Sequence, residues 1–338
     1  MTVRLVDVAK LAGVSPMTVS RVVHDHPHVS PRKAAAVRDA IARLGYVENH
    51  NARALTSKRS HLIGLVSPVF AGEWVAETAR PVFSHFSAAG YKVLQGVTKH
   101  SKEEEQDVIR SFLQMRADGL IVIGTQHAKR TRDQLKTAGV PVVECWDHKR
   151  AALGPVVGFS NLDAGRAITR HMINRGRQDI AMFGDTRRVP RAEQRLKGYL
   201  AEMQRAGLPP RVIRLAGYYG YGDESFYRIG ETCFEIASRG THLPDALIMM
   251  NDELAAGAIY GAKAAGVGVP RDLLISGYGD TEIARIFSPS ITTIRVPWAQ
   301  IGERAARRLH DRIENPDAPA SGFEDVGFEL VSRESTAV

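Results

Sequence analysis

From residue 62 onward the chain alternates short apolar runs with amphipathic stretches, and it does so twice over. Candidate strands cover 62–66, 92–95, 119–123, 140–144 and 156–159, with helical stretches such as 74–89 and 103–116 between them. The pattern restarts with strands at 180–184, 212–215, 247–250 and 273–277, separated by helices at 162–175, 192–205, 225–238 and 253–265. Parallel strands need a long crossover, and a helix supplies it, so such alternation builds parallel sheets covered by helices on both faces. Two consecutive runs predict two similar α/β lobes. Ligands of open parallel sheets bind at the carboxyl ends of the strands, which here would face each other across a cleft.

Residues 5–46 have a different texture: three short helices and no strand. A first helix runs from Leu5 to Ala12 and stops at Gly13, the residue type that tolerates a left-handed cap. Ser15 and Pro16 supply a cap and a first-turn proline for a second helix reaching about Val23. Ser30 and Pro31 start a third, which Gly45 ends. Val8, Ala12, Val14, Val19 and Val23, with Val37, Ile41 and Leu44 from the third helix, form the predicted small core. Charge is concentrated here as well. Residues 1–60 hold ten Lys/Arg against four Asp/Glu, a net +6 of the formal +8 of all 338 residues, and His24, His26, His28 and His50 add further donors. A basic concentration at one end points to an anionic polymer as partner.

Composition narrows the classes. The start mixes Arg4, Asp7 and Lys10 into an amphipathic pattern, unlike a secretory signal, and no apolar run reaches the roughly 20 residues of a membrane span. The expected location is the cytoplasm, with no membrane partner. Cys145 and Cys233 lie far apart without metal-ligand spacing, so neither a disulfide framework nor a metal site is expected.

The segment from Asp7 to Arg21 carries the full pattern D-V-A-x-x-A-G-V-S-x-x-T-V-S-R. This closely resembles the helix-turn-helix of the lac repressor (LacI/GalR) family. The resemblance implies a transcription regulator, a repressor of carbohydrate or sugar-acid catabolism genes, that binds double-stranded operator DNA. In a helix-turn-helix the second helix enters the major groove with its N-terminal residues at base edges. The matching positions are Pro16, Met17 and Arg21. Arg21 suits bidentate bonding to guanine and Met17 apolar contact with a thymine methyl. Ser15, Thr18, Ser20 and His28 suit phosphate contacts, which position without specifying. The following stretch, 49–60, looks like the family's hinge helix. By that match Asn49, Ala52 and Arg53 lie on the DNA, and Leu55 wedges into a central base step from the minor groove. Read without the family, the same stretch is a polar linker.

The likeness continues through Asn251-Asp252-Glu253-Leu254-Ala255, Gly277-Tyr278-Gly279-Asp280 and Thr292-Thr293-Ile294-Arg295. It implies a helix-turn-helix domain (1–47), a hinge helix and linker (48–60), and a two-lobed periplasmic-binding-protein-like core (61–338). The first lobe is expected at about 61–160 and 292–321, the second at about 161–291 and 322–338, with three crossovers between them. It also implies a homodimer, with a tetramer still open, and a small-molecule effector held without a cofactor. The matching effector positions are Trp74, Trp146, Ser160, Arg195, Asn251, Gly279 and Asp280, and Tyr218, Tyr219 and Tyr221 are further stacking candidates. Asn251 also reads as a helix cap.

Two of those positions depart from the family pattern. Gly279 stands where neutral-sugar binders place the first aspartate of G-Y-D-D, and Ser160 replaces another aspartate, while the arginine of R-x-x-G-Y remains as Arg195. Removing carboxylates and keeping a guanidinium suits an anion, so a sugar acid is the favoured effector. The segments 142–147 and 157–159 are similar to the gluconate-operon repressors of the family. A neutral sugar or a purine stays open as an alternative. From another class, a transporter's solute-binding protein would show a signal peptide and no helix-turn-helix. A sugar-modifying enzyme would be expected to carry nucleotide or nucleophile motifs, and the sequence has no P-loop, GxGxxG or GxSxG.

Overall fold

The computed structural model describes residues 3–23, 27–46, 59–70, 72–148, 153–185, 189–215, 225–239, 242–315 and 317–337. The chain divides into two compact units, Met1–Ser60 and His61–Val338. The expected positions Asn49, Ala52, Arg53 and Leu55 lie outside the described residues, as do His24, His26, His50, Tyr218, Tyr219 and Tyr221.

The first unit holds α1 (Leu5–Ala12), α2 (Pro16–Val23) and α3 (Pro31–Leu44). Each terminator acts as its chemistry predicts: Gly13 and Gly45 take left-handed φ of 64° and 62°. Val8, Ala9, Val19, Val22, Val37 and Ala40 form its core, and Ala12, Val14, Val23, Ile41 and Leu44 pack partly buried around it.

In the second unit six strands form the first sheet. They are β1 (Leu62–Ser67), β2 (Lys92–Val97), β3 (Gly119–Ile123), β4 (Val142–Cys145), β5 (Val156–Gly158) and β11 (Phe323–Asp325), in the order β11-β5-β4-β3-β1-β2. All of its pairings are parallel. Side chains alternate across it. Leu120 and Val122 pack with Ile109, Phe112 and Leu135 from α5 (Lys102–Gln114) and α6 (Lys129–Ala138). Ile121 and Ile123 face Val82, Phe86, Ile301 and Leu309 from α4 (Glu73–Ala88) and α12 (Trp298–Glu314). The second sheet runs β7 (Arg211–Leu215), β6 (Ile180–Asp185), β8 (Ala246–Ile248) and β9 (Leu274–Ser276), again parallel. Its helices are α7 (Asn161–Asn174), α8 (Pro190–Arg205), α9 (Phe226–Ser238), α10 (Asp252–Ala264) and the short α11 (Glu282–Ile286).

The expected lobe boundaries shift at both returns. Thr292–Arg295 does not open the first lobe's returning segment. β10 (Thr293–Arg295) pairs antiparallel with β12 (Glu329–Val331), and the bridges Ser276 to Thr292 and Gly279 to Arg295 hold it beside the second sheet. The crossing falls at Val296–Trp298 instead. At the other return, Phe323–Asp325 belongs to the first sheet, where it pairs with β5, so the second lobe regains the chain only after Asp325.

Candidate DNA-binding surface and effector cleft

On α2, Val19 and Val22 are buried, which turns the i, i+4 pair Met17 and Arg21 outward. Met17 is 64% exposed, unusual for so apolar a side chain. Ser15, Pro16, Arg21 and His28 are exposed, and Thr18 and Ser20 are half-buried. Ser15 Oγ accepts the Thr18 backbone N–H at 3.2 Å and lies 3.0 Å from Thr18 Oγ1, so it caps the helix. Among the described residues no acid pairs with Arg21. A solvent-facing row of Pro, Met and Arg at a helix N-terminus is what a major-groove reader presents.

The cleft lies between the two sheets, at the carboxyl ends of their strands. Its inner chamber is lined by Trp74, Trp146, Phe159, Tyr278 and Trp298, by Arg191, Arg195 and His100, and by Val189, Ala192, Met250, Asn251 and Gly279. Among the described residues no carboxylate lines it. The tryptophans pack against one another: Trp146 lies 5.4 Å from Trp74 and 5.0 Å from Trp298, centroid to centroid. Trp146 Nε1 donates to Thr78 Oγ1 at 3.1 Å and Trp298 Nε1 to the Gly279 carbonyl at 3.2 Å, so both buried indoles are satisfied.

Arg195 is placed by its own motif. Gly198 lets α8 touch α7, since a Cβ there would stand 2.1 Å from the Leu162 carbonyl oxygen. Tyr199 donates its hydroxyl to the Ile180 carbonyl at 2.7 Å and ties α8 to the sheet. The close approach brings Arg195 Nη1 to Asn161 Oδ1 at 3.0 Å, and the guanidinium lies 4.0 Å over the Tyr278 ring. Tyr278 also donates to Asn161 Oδ1, at 3.2 Å. Arg195 is 8% exposed and has no acidic partner among the described residues. Arg191, one turn earlier, lies 5.2 Å from the Trp146 ring centroid and likewise meets no carboxylate among them.

Trp74, Trp146, Arg195, Asn251 and Gly279 thus converge as expected. Asn251 is also a cap, accepting the Leu254 N–H at 2.8 Å. Ser160 and Asp280 do not line this chamber. Ser160 is spent on capping α7, accepting from Asp163 N at 3.1 Å. Asp280 turns away into a cluster of guanidiniums, bonded by Arg295 Nε at 2.6 Å and by Arg333, with Arg285 at 3.7 Å. Gly279 has φ of 125°, so its lack of a side chain is also a backbone requirement, and an aspartate there would be strained. Arg191, His100, Phe159, Tyr278 and Trp298 were missed. The i, i+4 spacing of Arg191 and Arg195 along a predicted helix was the signal available for the first.

A second compartment joins the chamber through His100, Val189 and Arg191 and is lined by Thr98, Ser101, Thr125, Gln126, His127 and Asp147, among others. His127, almost wholly buried, bridges Glu105 Oε1 at 3.1 Å and Glu144 Oε1 at 2.9 Å. Burial opposes its charge, but the hydrogen bonds to Glu105 and Glu144 outweigh it and raise the imidazole to about 9. Behind Gly279, burial pushes the Asp252 carboxyl up to about 6, even though Thr281 and Thr293 donate to it.

A basic three-helix unit joined to a two-lobed parallel α/β core with a closed-in cleft defines a ligand-responsive DNA-binding regulator. The family models agree: residues 4–49 match the bacterial regulatory proteins of the lacI family, and 169–336 a periplasmic binding protein-like domain. The chain is 34% identical to the HTH-type transcriptional regulator GntR of Pseudomonas aeruginosa, across 98% of this chain and 94% of that one. It is 32% identical to GntR of Escherichia coli K12, across 96% of both. A LacI family regulator from Silicibacter pomeroyi superposes with a TM-score of 0.88 at 26% identity, covering 99% of each chain. The lac repressor dimer bound to operator and an anti-inducer superposes at 0.78 with 25% identity, covering all of both chains. The chain belongs to the LacI family of DNA-binding transcriptional regulators. Among the described residues no helix is long and apolar enough to cross a membrane.

Proposed function

We propose that the chain acts in the cytoplasm as a dimeric repressor of sugar-acid catabolism genes, released from or bound to a pseudo-palindromic operator according to the occupancy of its cleft. One recognition helix reads only a half-site, so two subunits are needed. The carrying observation is the inner chamber, where two guanidiniums stand among aromatic walls with no lining carboxylate among the described residues. A buried, unpaired cation is costly, and a ligand carboxylate relieves that cost through charge-assisted hydrogen bonds. Tryptophan faces suit the C–H side of a polyhydroxylated chain. A six-carbon sugar acid such as gluconate or a ketogluconate meets both demands, and the likeness to the GntR regulators supports it.

Calorimetry tests this directly. A sugar acid should bind at least about tenfold more tightly than the matching neutral sugar, a gap of about 1.4 kcal/mol. If glucose, ribose or a purine binds more tightly than every sugar acid tried, the effector reading is wrong and the family assignment stands.

A further inference from the structure

Asp252 borders the chamber without lining it. It opens α10 directly after Asn251 and is 0% exposed. Its partners are neutral donors: Oδ2 accepts the Thr281 N–H at 2.8 Å and the Thr281 hydroxyl at 3.0 Å, and Oδ1 accepts the Thr293 hydroxyl at 2.6 Å. No cation pairs with it among the described residues. The nearby guanidiniums of Arg295 and Arg333 go to Asp280 instead, and the Asp280 charge adds to the rise that burial imposes on Asp252. Because the folded carboxyl lies at about 6, above the ordinary 3.8, the ionised form costs stability at neutral pH, and that cost fades as pH falls through 6. An asparagine would have the same shape without the charge. A buried charge that opposes folding persists where function needs it.

Several walls of the chamber are anchored on this carboxylate. The segment 277–281 is folded tightly over it: a Cβ on Gly277 would stand 2.2 Å from Asp252 Oδ1, and one on Gly279 3.4 Å from Oδ2. That segment presents Tyr278, whose ring carries the Arg195 guanidinium, and Gly279, whose carbonyl receives Trp298 Nε1. Thr293, the other donor, begins β10, which bridges to Gly279 through Arg295 and runs into the crossing at Val296–Trp298. An ionised carboxylate accepts on both oxygens, whereas a protonated carboxyl or an amide turns a donor towards one partner, and the Thr281 N–H cannot reverse its role. We propose that Asp252 is a positioning residue for effector binding. Its carboxylate draws Thr281 and Thr293 together, and so sets Tyr278, Gly279 and Trp298 at the spacing the effector meets, without touching the ligand. This inference rests on the sugar-acid reading above for its choice of probe.

The test is calorimetry with gluconate and glucose, beside thermal melts at neutral pH, on full-length wild type, Asp252→Asn, Thr281→Val and the double variant. Asp252→Asn should weaken gluconate at least about tenfold while melting no lower than wild type, because the amide leaves the link half made and removes the buried charge. Thr281→Val should weaken gluconate about threefold, and the double variant should stay within about twofold of Asp252→Asn, since both changes act on one link. Gluconate affinity in Asp252→Asn within about threefold of wild type overturns the positioning role. Lowered melting temperatures with affinity losses that add in the double variant make Asp252 a structural residue only, and overturn it as well. Should Asp252→Asn fail to fold, Thr281→Val decides, and unchanged gluconate affinity there sinks the proposal. If glucose binds wild type more tightly than gluconate, the acid reading fails on its own, and the same comparison made with glucose decides the role of Asp252.

Discussion

The arginine of the recognition helix and the arginines of the cleft are the same side chain in opposite surroundings. Arg21 stands in solvent on the outward face of α2, where water and salt screen it and each contact with DNA is one of many. Arg195 is almost wholly buried, fixed by Asn161 and Tyr278, and needs no reorganisation to meet a ligand. The first arrangement gives affinity that is spread out and salt-dependent. The second concentrates selectivity in a few groups, because each is expensive to leave unmatched.

The largest expected effect breaks the cleft side of that contrast. Arg195→Ala should weaken sugar-acid binding at least about 100-fold, near 3 kcal/mol, and abolish the preference over neutral sugars, while effector-free DNA binding is kept. Calorimetry and gel-shift titration on the same preparation check both halves, and a loss below fivefold would return the charge-reading role to Arg191.

Next comes His127, which tests whether buried charge in the first lobe is matched internally. Its folded-state pKa of about 9 lies above the ordinary value of 6.5. Its stabilisation is therefore full below pH 6.5 and is lost as pH rises through 9, amounting to at most about 3 kcal/mol. Thermal melts of wild type and His127→Gln should differ most at pH 6 and converge towards pH 10. A gap that stays constant across that range means the imidazole packs without being charged.

On the DNA side, Arg21→Ala should cost about 1–3 kcal/mol at the cognate site and flatten discrimination at one base pair. Equal weakening on cognate and random duplexes would make Arg21 a phosphate contact. The smallest effect, the one in the cleft, sharpens the contrast itself. Between 50 and 200 mM salt DNA affinity should fall by orders of magnitude, whereas sugar-acid affinity should move by less than about threefold. Comparable salt slopes would show that the cleft is wetter than its walls imply.

Much of this was legible in the sequence because it is local. Gly13, Ser15, Pro16 and Gly45 punctuate α1 to α3 through backbone chemistry, and the apolar runs of the sheets are short and well separated. The helices passed over include Lys129–Ala138 and Trp298–Glu314. The first is very polar, with Thr131 and Leu135 as its buried residues, and the second lies in a stretch read for its chain path rather than its periodicity. The cleft was half legible. Arg195 and Trp146 sit in recognisable motifs, but whether a carboxylate faces inward depends on the packing of distant segments. Asp280 turns to Arg295 and Arg333, which come from two different chain returns, and no local pattern announces that. Asp147, by contrast, lay beside Trp146 in a segment already singled out. Only the bond to Thr125, twenty-two residues away, reveals which way it is held.

The three tryptophans of the chain are Trp74, Trp146 and Trp298, and all three line the effector chamber. The intrinsic fluorescence of the protein therefore originates at one place. With ring centroids 5.0 to 5.4 Å apart the indoles exchange excitation, so a ligand sliding against any one of them alters emission from the whole group. Residues 1–60 contain no tryptophan, and operator DNA added to the free protein has no indole of its own to quench there. An unlabelled sample thus carries an optical gauge of effector occupancy, which can be read while DNA binding is followed independently by the anisotropy of a dye on the duplex.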